Sequence, residues 1–136
     1  MTEPPRFEEV LSLCAALGGK MNLCGNSIDS MLDLILRQIG AEPPKMLGQK
    51  IMKLKKSKSI LENACDGDID TLLEKIERFN KNWNIFKHGL PAGGAEIPTI
   101  YKDGVLHEFS EEKFASMMNE FTQIQEELIG IARKIQ

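Results

Sequence analysis

IDTLLEKIERFNKNWNIFKHG, residues 69–89, is the stretch on which the reading of the fold turns. Ile69, Leu72, Leu73, Ile76, Phe79, Trp83 and Phe86 recur at spacings of three and four, a continuous apolar stripe that predicts one amphipathic helix. Asp66 or Asp68 stands ready to cap its start, and Gly89 is expected to supply the left-handed residue that ends many helices. The last turn carries a polar cluster, Asn82, Asn84, Lys87 and His88. At about 100° per residue, Glu77, Lys81, Asn84 and His88 fall within about 40° of one line down the helix. The stripe predicts burial; the polar line is where chemistry is expected.

Beyond this helix the pattern changes. LPAGGAEIP, within residues 89–96 and just past them, is too rich in Gly and Pro for regular structure and reads as a loop. IPTIYKDGVLHEF then reads as a β-hairpin about Lys102-Asp103-Gly104, because Asp-Gly suits a tight two-residue turn. Ser110 is an N-cap candidate with Glu111 and Glu112 in the first turn. Phe114, Met117, Met118, Phe121, Ile124, Leu128, Ile131 and Ile135 mark one side of a long final helix reaching about Lys134.

Ahead of it, Phe7 to Gly40 is helical in character. Phe7, Val10, Leu11, Leu13, Cys14 and Leu17 form a first apolar face, and Ile28, Met31, Leu32, Leu34, Ile35 and Ile39 resume the period. Gly18, Gly19 and Gly25 interrupt. They either divide the segment into a helical hairpin or sit inside one long helix where a neighbour approaches closely, and the single helix is the favoured reading. Residues 41–45, AEPPK, form a connector because paired prolines cannot continue a helix.

Three long helices, one short basic helix and a hairpin before the last helix predict an all-α, up-and-down bundle, one domain over residues 1–136. The start, MTEPPRFEE, lacks the pattern of a signal peptide, and no apolar run approaches the ~20 residues of a membrane span. Cys14, Cys24 and Cys65 are odd in number and lack CxxC spacing, which predicts reduced thiols and a cytoplasmic location. Leu13, Leu34 and Ile129 lie beyond a single stripe and hint at a homodimer.

Residues 45–58 hold six of the 17 Lys and Arg residues and none of the 20 acidic ones, so the rest of the chain carries a formal −9 against −3 for the whole. Leu47, Ile51 and Leu54 on one face predict a short amphipathic helix. Its lysines are either a phosphate-attracting patch or a solvated face, and no aromatic is interleaved to stack on bases.

A long leucine-rich first helix, Leu47-Gly48 opening a basic helix, and a long helix ending Asn84-Ile85-Phe86-Lys87-His88-Gly89 resemble a HEPN domain. The resemblance covers most of the chain as an order of helices and six residues as a motif. It implies an all-helical, usually dimeric fold; many members are metal-independent ribonucleases of toxin–antitoxin, phage-defence and RNA-processing systems, and others only bind nucleotides or partners. No cofactor is implied. The family motif has an Arg separated from the His by four to six intervening residues, and here those positions are Trp83, Asn82 and Lys81. Metal-free RNA cleavage needs a proton-transfer group and a cation to steady the phosphorane. His88 suits the first and Lys81 the second, although an ammonium lacks the flat fork of a guanidinium.

His88, Asn84 and Lys81 are therefore the expected catalytic set, with Lys50, Lys53, Lys55, Lys56 and Lys87 for RNA or phosphate. The missing Arg predicts a degenerate member that binds without cutting, with an active ribonuclease using His88 as the alternative. A helical interaction protein without a nucleic-acid role is the second class. RNA and a protein partner such as an antitoxin are the partners this implies, and no membrane. The plainer readings make His88 a helix-end cap, Trp83 core, Asn82 and Asn84 terminal-turn residues, and His107 exposed. A zinc site has no spacing signature, and GGAEIP precedes a strand, so it is no phosphate loop.

Overall fold

The computed structural model describes residues 7–92 and 97–135, apart from the side chains of Phe7 and Val10. Those two side chains, loop residues 93–96 and the proline-bearing start therefore lie outside the described residues. The chain is mostly helical with a small three-stranded antiparallel sheet. The helices are α1 (Phe7–Gln38), α2 (Leu47–Lys56), α3 (Lys58–Glu62), α4 (Ile69–His88) and α5 (Glu111–Ile135). The strands are β1 (Leu90–Pro91), β2 (Thr99–Lys102) and β3 (Val105–Glu108).

Helix α4 follows the stripe. Ile69, Leu72, Leu73, Ile76, Phe79 and Trp83 are buried, and Phe86 is half-buried with its ring 4.5 Å from that of Phe109. Asp68 is the N-cap and accepts from the Asp70 N–H, while Asp66 pairs with Lys134. Gly89 corrects the expectation for the other end. Its φ of −86° and ψ of 169° are extended, not left-handed. Glycine is needed there for space: a Cβ would lie 2.3 Å from Ile100 Cγ2 and 2.5 Å from the Ile85 carbonyl. A left-handed glycine ends α1 instead: Gly40, at φ 81°, where Ala41 N–H donates to the Leu36 carbonyl across the helix end.

Helix α1 runs unbroken through Gly18, Gly19 and Gly25. At Gly25 the reason is a side chain: a Cβ would lie within 2.5 Å of three atoms of the Trp83 indole. The basic segment holds Leu47, Ile51 and Leu54 inward as expected, but its helix ends at Lys56, and the short α3 follows through Ser57.

Asp103 and Gly104 both take positive φ, 51° and 79°, as a two-residue type I′ hairpin turn requires. The segment expected to be loop contributes a strand: Leu90 and Pro91 pair with Tyr101 and Ile100. Pro91 is tolerated because β1 is an edge strand, where its missing N–H breaks no central ladder. Ser110 caps α5, its Oγ accepting from the Lys113 N–H at 3.1 Å. Helices α1, α4 and α5 pack against one another, α2 packs on α1 and α4, and the buried residues of all of them join Ile100 and Phe109 in one core. Leu13 and Leu34 remain about half exposed.

Candidate functional site

The end of α4, the start of α2 and the middle of α1 enclose a cleft of about 560 Å³, within the range of small-ligand sites. Helix α4 contributes Asn80, Trp83, Asn84 and Lys87, spaced i, i+3, i+4 and i+7 on one face. Helix α1 contributes Asn26 and Asp29, one turn apart, and the α2 entry contributes Lys45, Leu47, Gly48 and Gln49. At Gly48 a Cβ would make only an ordinary contact, 3.9 Å from the Asn80 amide nitrogen. A groove of about 580 Å³ between α1 and α5 is slightly larger. Its walls are mainly apolar (Leu13, Leu17, Phe109, Phe114, Met118), so the polar chemistry belongs to the first cleft.

Trp83 is both core and cleft wall. Its indole rests on Gly25, its Nε1–H donates to Asn22 Oδ1 at 2.8 Å, and Lys87 Nζ stands 3.6 Å from its ring centroid. Lys87 is thereby held at the mouth, still exposed. Lys45 is exposed there too, with no partner among the described residues.

The expected site residues are divided by the fold. Asn84 and Lys87 enter the cleft; Lys81 and His88 are exposed and do not line it. The cleft face of α4, read from Asn80, Asn84 and Lys87, is turned about 60° from the Glu77–Lys81–Asn84–His88 line, and Asn84 is common to both.

Three of the six lysines in the basic segment, Lys50, Lys55 and Lys58, are paired with acids of the chain itself. Lys50 departs furthest from the expected phosphate patch: it is 3% exposed, with Nζ 2.7 Å from both Asp29 Oδ1 and Asp33 Oδ1. Burial works to lower its pKa, but the two aspartates outweigh that and the value is raised above the ordinary 10.5. Lys53 donates to the Glu42 carbonyl, Lys55 pairs with Glu77, and Lys58 pairs with Asp70. Of the four lysines expected to form a patch on this helix, only Lys56 is without a partner among the described residues. Half of the segregated charge thus balances acids on α1 and α4.

Asn26, Asp29 and Asn80 complete the site without standing out in the sequence, and Lys45 joins them from the first position of the basic segment. The spacing of Asn80, Asn84 and Lys87 is a legible helical face; nothing short of the fold joins it to Asn26 and Asp29. Among the described residues no three His, Cys, Asp or Glu side chains gather in a way that would hold a metal ion. Cys14, Cys24 and Cys65 are free thiols whose pKa values are raised by burial. No described helix is long and apolar enough to cross a membrane. No family model, curated protein or solved structure matches the chain.

Proposed function

We propose that this chain is a degenerate, HEPN-like protein of the cytoplasm that binds RNA or a nucleotide without cutting it, in a phage-defence or toxin–antitoxin setting. The observation that carries the reading is the cleft itself: two exposed ammonium groups, Lys45 and Lys87, stand over a wall of amides that includes Asn26, Asn80 and Asn84. The ammonium groups suit phosphate oxygens, and the amides offer both donors and acceptors to a base or ribose. Against cleavage stand the lack of an arginine at any family spacing and the position of His88 outside the cleft. In this reading α1, α4 and α5 are the up-and-down bundle of the family.

The test is binding of a short single-stranded RNA across a salt series. The double variant Lys45→Gln/Lys87→Gln is expected to lose about tenfold in affinity per lysine. The slope of log K against log salt is expected to flatten by about 1.4, at ~0.7 per phosphate contact. Cleavage to a 2′,3′-cyclic phosphate is expected to be absent with or without EDTA. Robust, EDTA-resistant cleavage that vanishes in His88→Ala would instead establish an active ribonuclease. RNA binding absent from the wild type, or insensitive to both salt and the double variant, would favour a helical interaction protein docking a partner such as an antitoxin.

The same reading makes the protein a homodimer in which the two copies of α4 approach each other. Light scattering at micromolar concentration is expected to give twice the monomer mass, and a monomer alone would refute that part.

A further inference from the structure

We infer that the cleft selects a guanine base, with the Asp29 carboxylate reading its Watson–Crick edge; the inference rests on the nucleotide reading above and names the base it takes. A carboxylate in a site for an anion needs an explanation. Asp29 is about one-third exposed and lines the cleft with Asn26 one turn before it. Its Oδ1 is held 2.7 Å from Lys50 Nζ, and the same ammonium lies 2.7 Å from Asp33 Oδ1. The other oxygen, Oδ2, has no partner among the described residues. Asp29 is thus an acceptor-only group, fixed from behind by a buried lysine, with lone pairs left to offer.

That group repels phosphate, which goes to Lys45 and Lys87, and attracts hydrogen-bond donors. Among the nucleobases, guanine alone presents two adjacent donors on its Watson–Crick edge, N1–H and N2–H, which match the two oxygens of one carboxylate. Adenine and cytosine place an acceptor beside their single amino group, and uracil flanks N3–H with two carbonyls. Each would set at least one lone pair against the carboxylate. The guanine pattern is completed by an acceptor, O6, next to N1–H, for which an Asn amide on the same wall is the complementary donor. Reading an unstacked base on this edge is a common mode of RNA recognition.

The experiment is titration of wild-type protein with GMP, AMP, CMP and UMP at low salt, by calorimetry and by the fluorescence of Trp83, the one tryptophan. GMP is expected to bind about 10- to 100-fold more tightly than AMP, as for one good bidentate contact to a base. Asp29→Asn exchanges one acceptor oxygen for a donor, and is expected to bring the two within about threefold of each other. Asp33→Asn removes the charge of the other partner of Lys50 at a residue that does not line the cleft, and is expected to keep the preference for GMP. If Asp29→Asn does not fold, the wild-type ratio of GMP to AMP decides. Equal binding of the four nucleotides, lost in Lys45→Gln/Lys87→Gln, would overturn the guanine assignment and leave the nucleotide reading standing. No binding of any of them, with RNA binding also absent, would overturn both.

Discussion

Trp83→Ala is expected to destabilise the fold by about 3–5 kcal/mol, the range for emptying a buried aromatic site. The indole is 5% exposed, lies against the backbone of α1 at Gly25, and is anchored by its N–H on Asn22. Its removal opens a gap that α1 and α4 cannot close without moving the cleft they share. Trp83→Phe should cost less, about 1 kcal/mol for the lost hydrogen bond plus a smaller void. The decisive measurement is a double-mutant cycle with Gly25→Ala by urea unfolding. In the wild-type background the new methyl meets the indole and should cost about 1–3 kcal/mol. In the Trp83→Ala background it should stabilise, because the gap receives it and alanine favours helix over glycine by up to ~1 kcal/mol. Additive costs would show that the two residues do not meet. Trp83→Arg is expected to be at least as costly, because it would place a guanidinium in the core.

Lys50→Met is expected to cost about 3 kcal/mol at neutral pH. Removing one partner of a fully buried ion pair costs about 3–5 kcal/mol. The lower end applies because Asp29 and Asp33 keep about a third of their side-chain exposure, 33% and 37%. Without the ammonium, Asp33 Oδ1 is buried with no other partner among the described residues, and two carboxylates face one space. The pH dependence has a definite sign. A lysine whose pKa is raised in the folded state stabilises fully below its ordinary value, 10.5, and that contribution is lost as pH rises through the folded value. The wild type should therefore keep this stability through neutral and mildly alkaline solution and lose it in strong alkali, a step absent from Lys50→Met. Urea midpoints of both proteins from about pH 7 to about pH 12, in one-unit steps, check this. A gap that stayed constant with pH would show that the aspartates do not depend on Lys50.

Much of the fold is legible in local sequence because the interactions that form helices and turns span few residues. The spacing of Ile69, Leu72, Leu73, Ile76 and Phe79 determines a helix and the face it buries. Asp68 and Ser110 cap from the position before their helices, and Asp103-Gly104 meets the backbone demand of a hairpin turn within two residues. The departures are places where a residue's role depends on something distant. Gly89 is a glycine because Ile100 and the Ile85 carbonyl crowd it, whereas a helix-end glycine is usually explained by its own φ. Leu90 and Pro91 form a strand only because β2 returns beside them. The polar line through His88 and the cleft share only Asn84, since helical periodicity shows which residues share a face but not which neighbour that face meets.

The sequence by itself thus determined the order of the three long helices, the basic helix and the hairpin, the helical stripes and the Ser110 cap, and it isolated the lysine-rich segment as a charge anomaly. Only the tertiary structure decided what those charges do. A lysine's sequence environment does not say whether an aspartate from another helix lies 2.7 Å from its ammonium. Lys50 became a buried counter-ion for Asp29 and Asp33, while Lys45 and Lys87 became the exposed cations of the cleft. The physical reason is range: backbone preferences are set within a turn or two, whereas burial and ion pairing depend on where other helices bring their side chains.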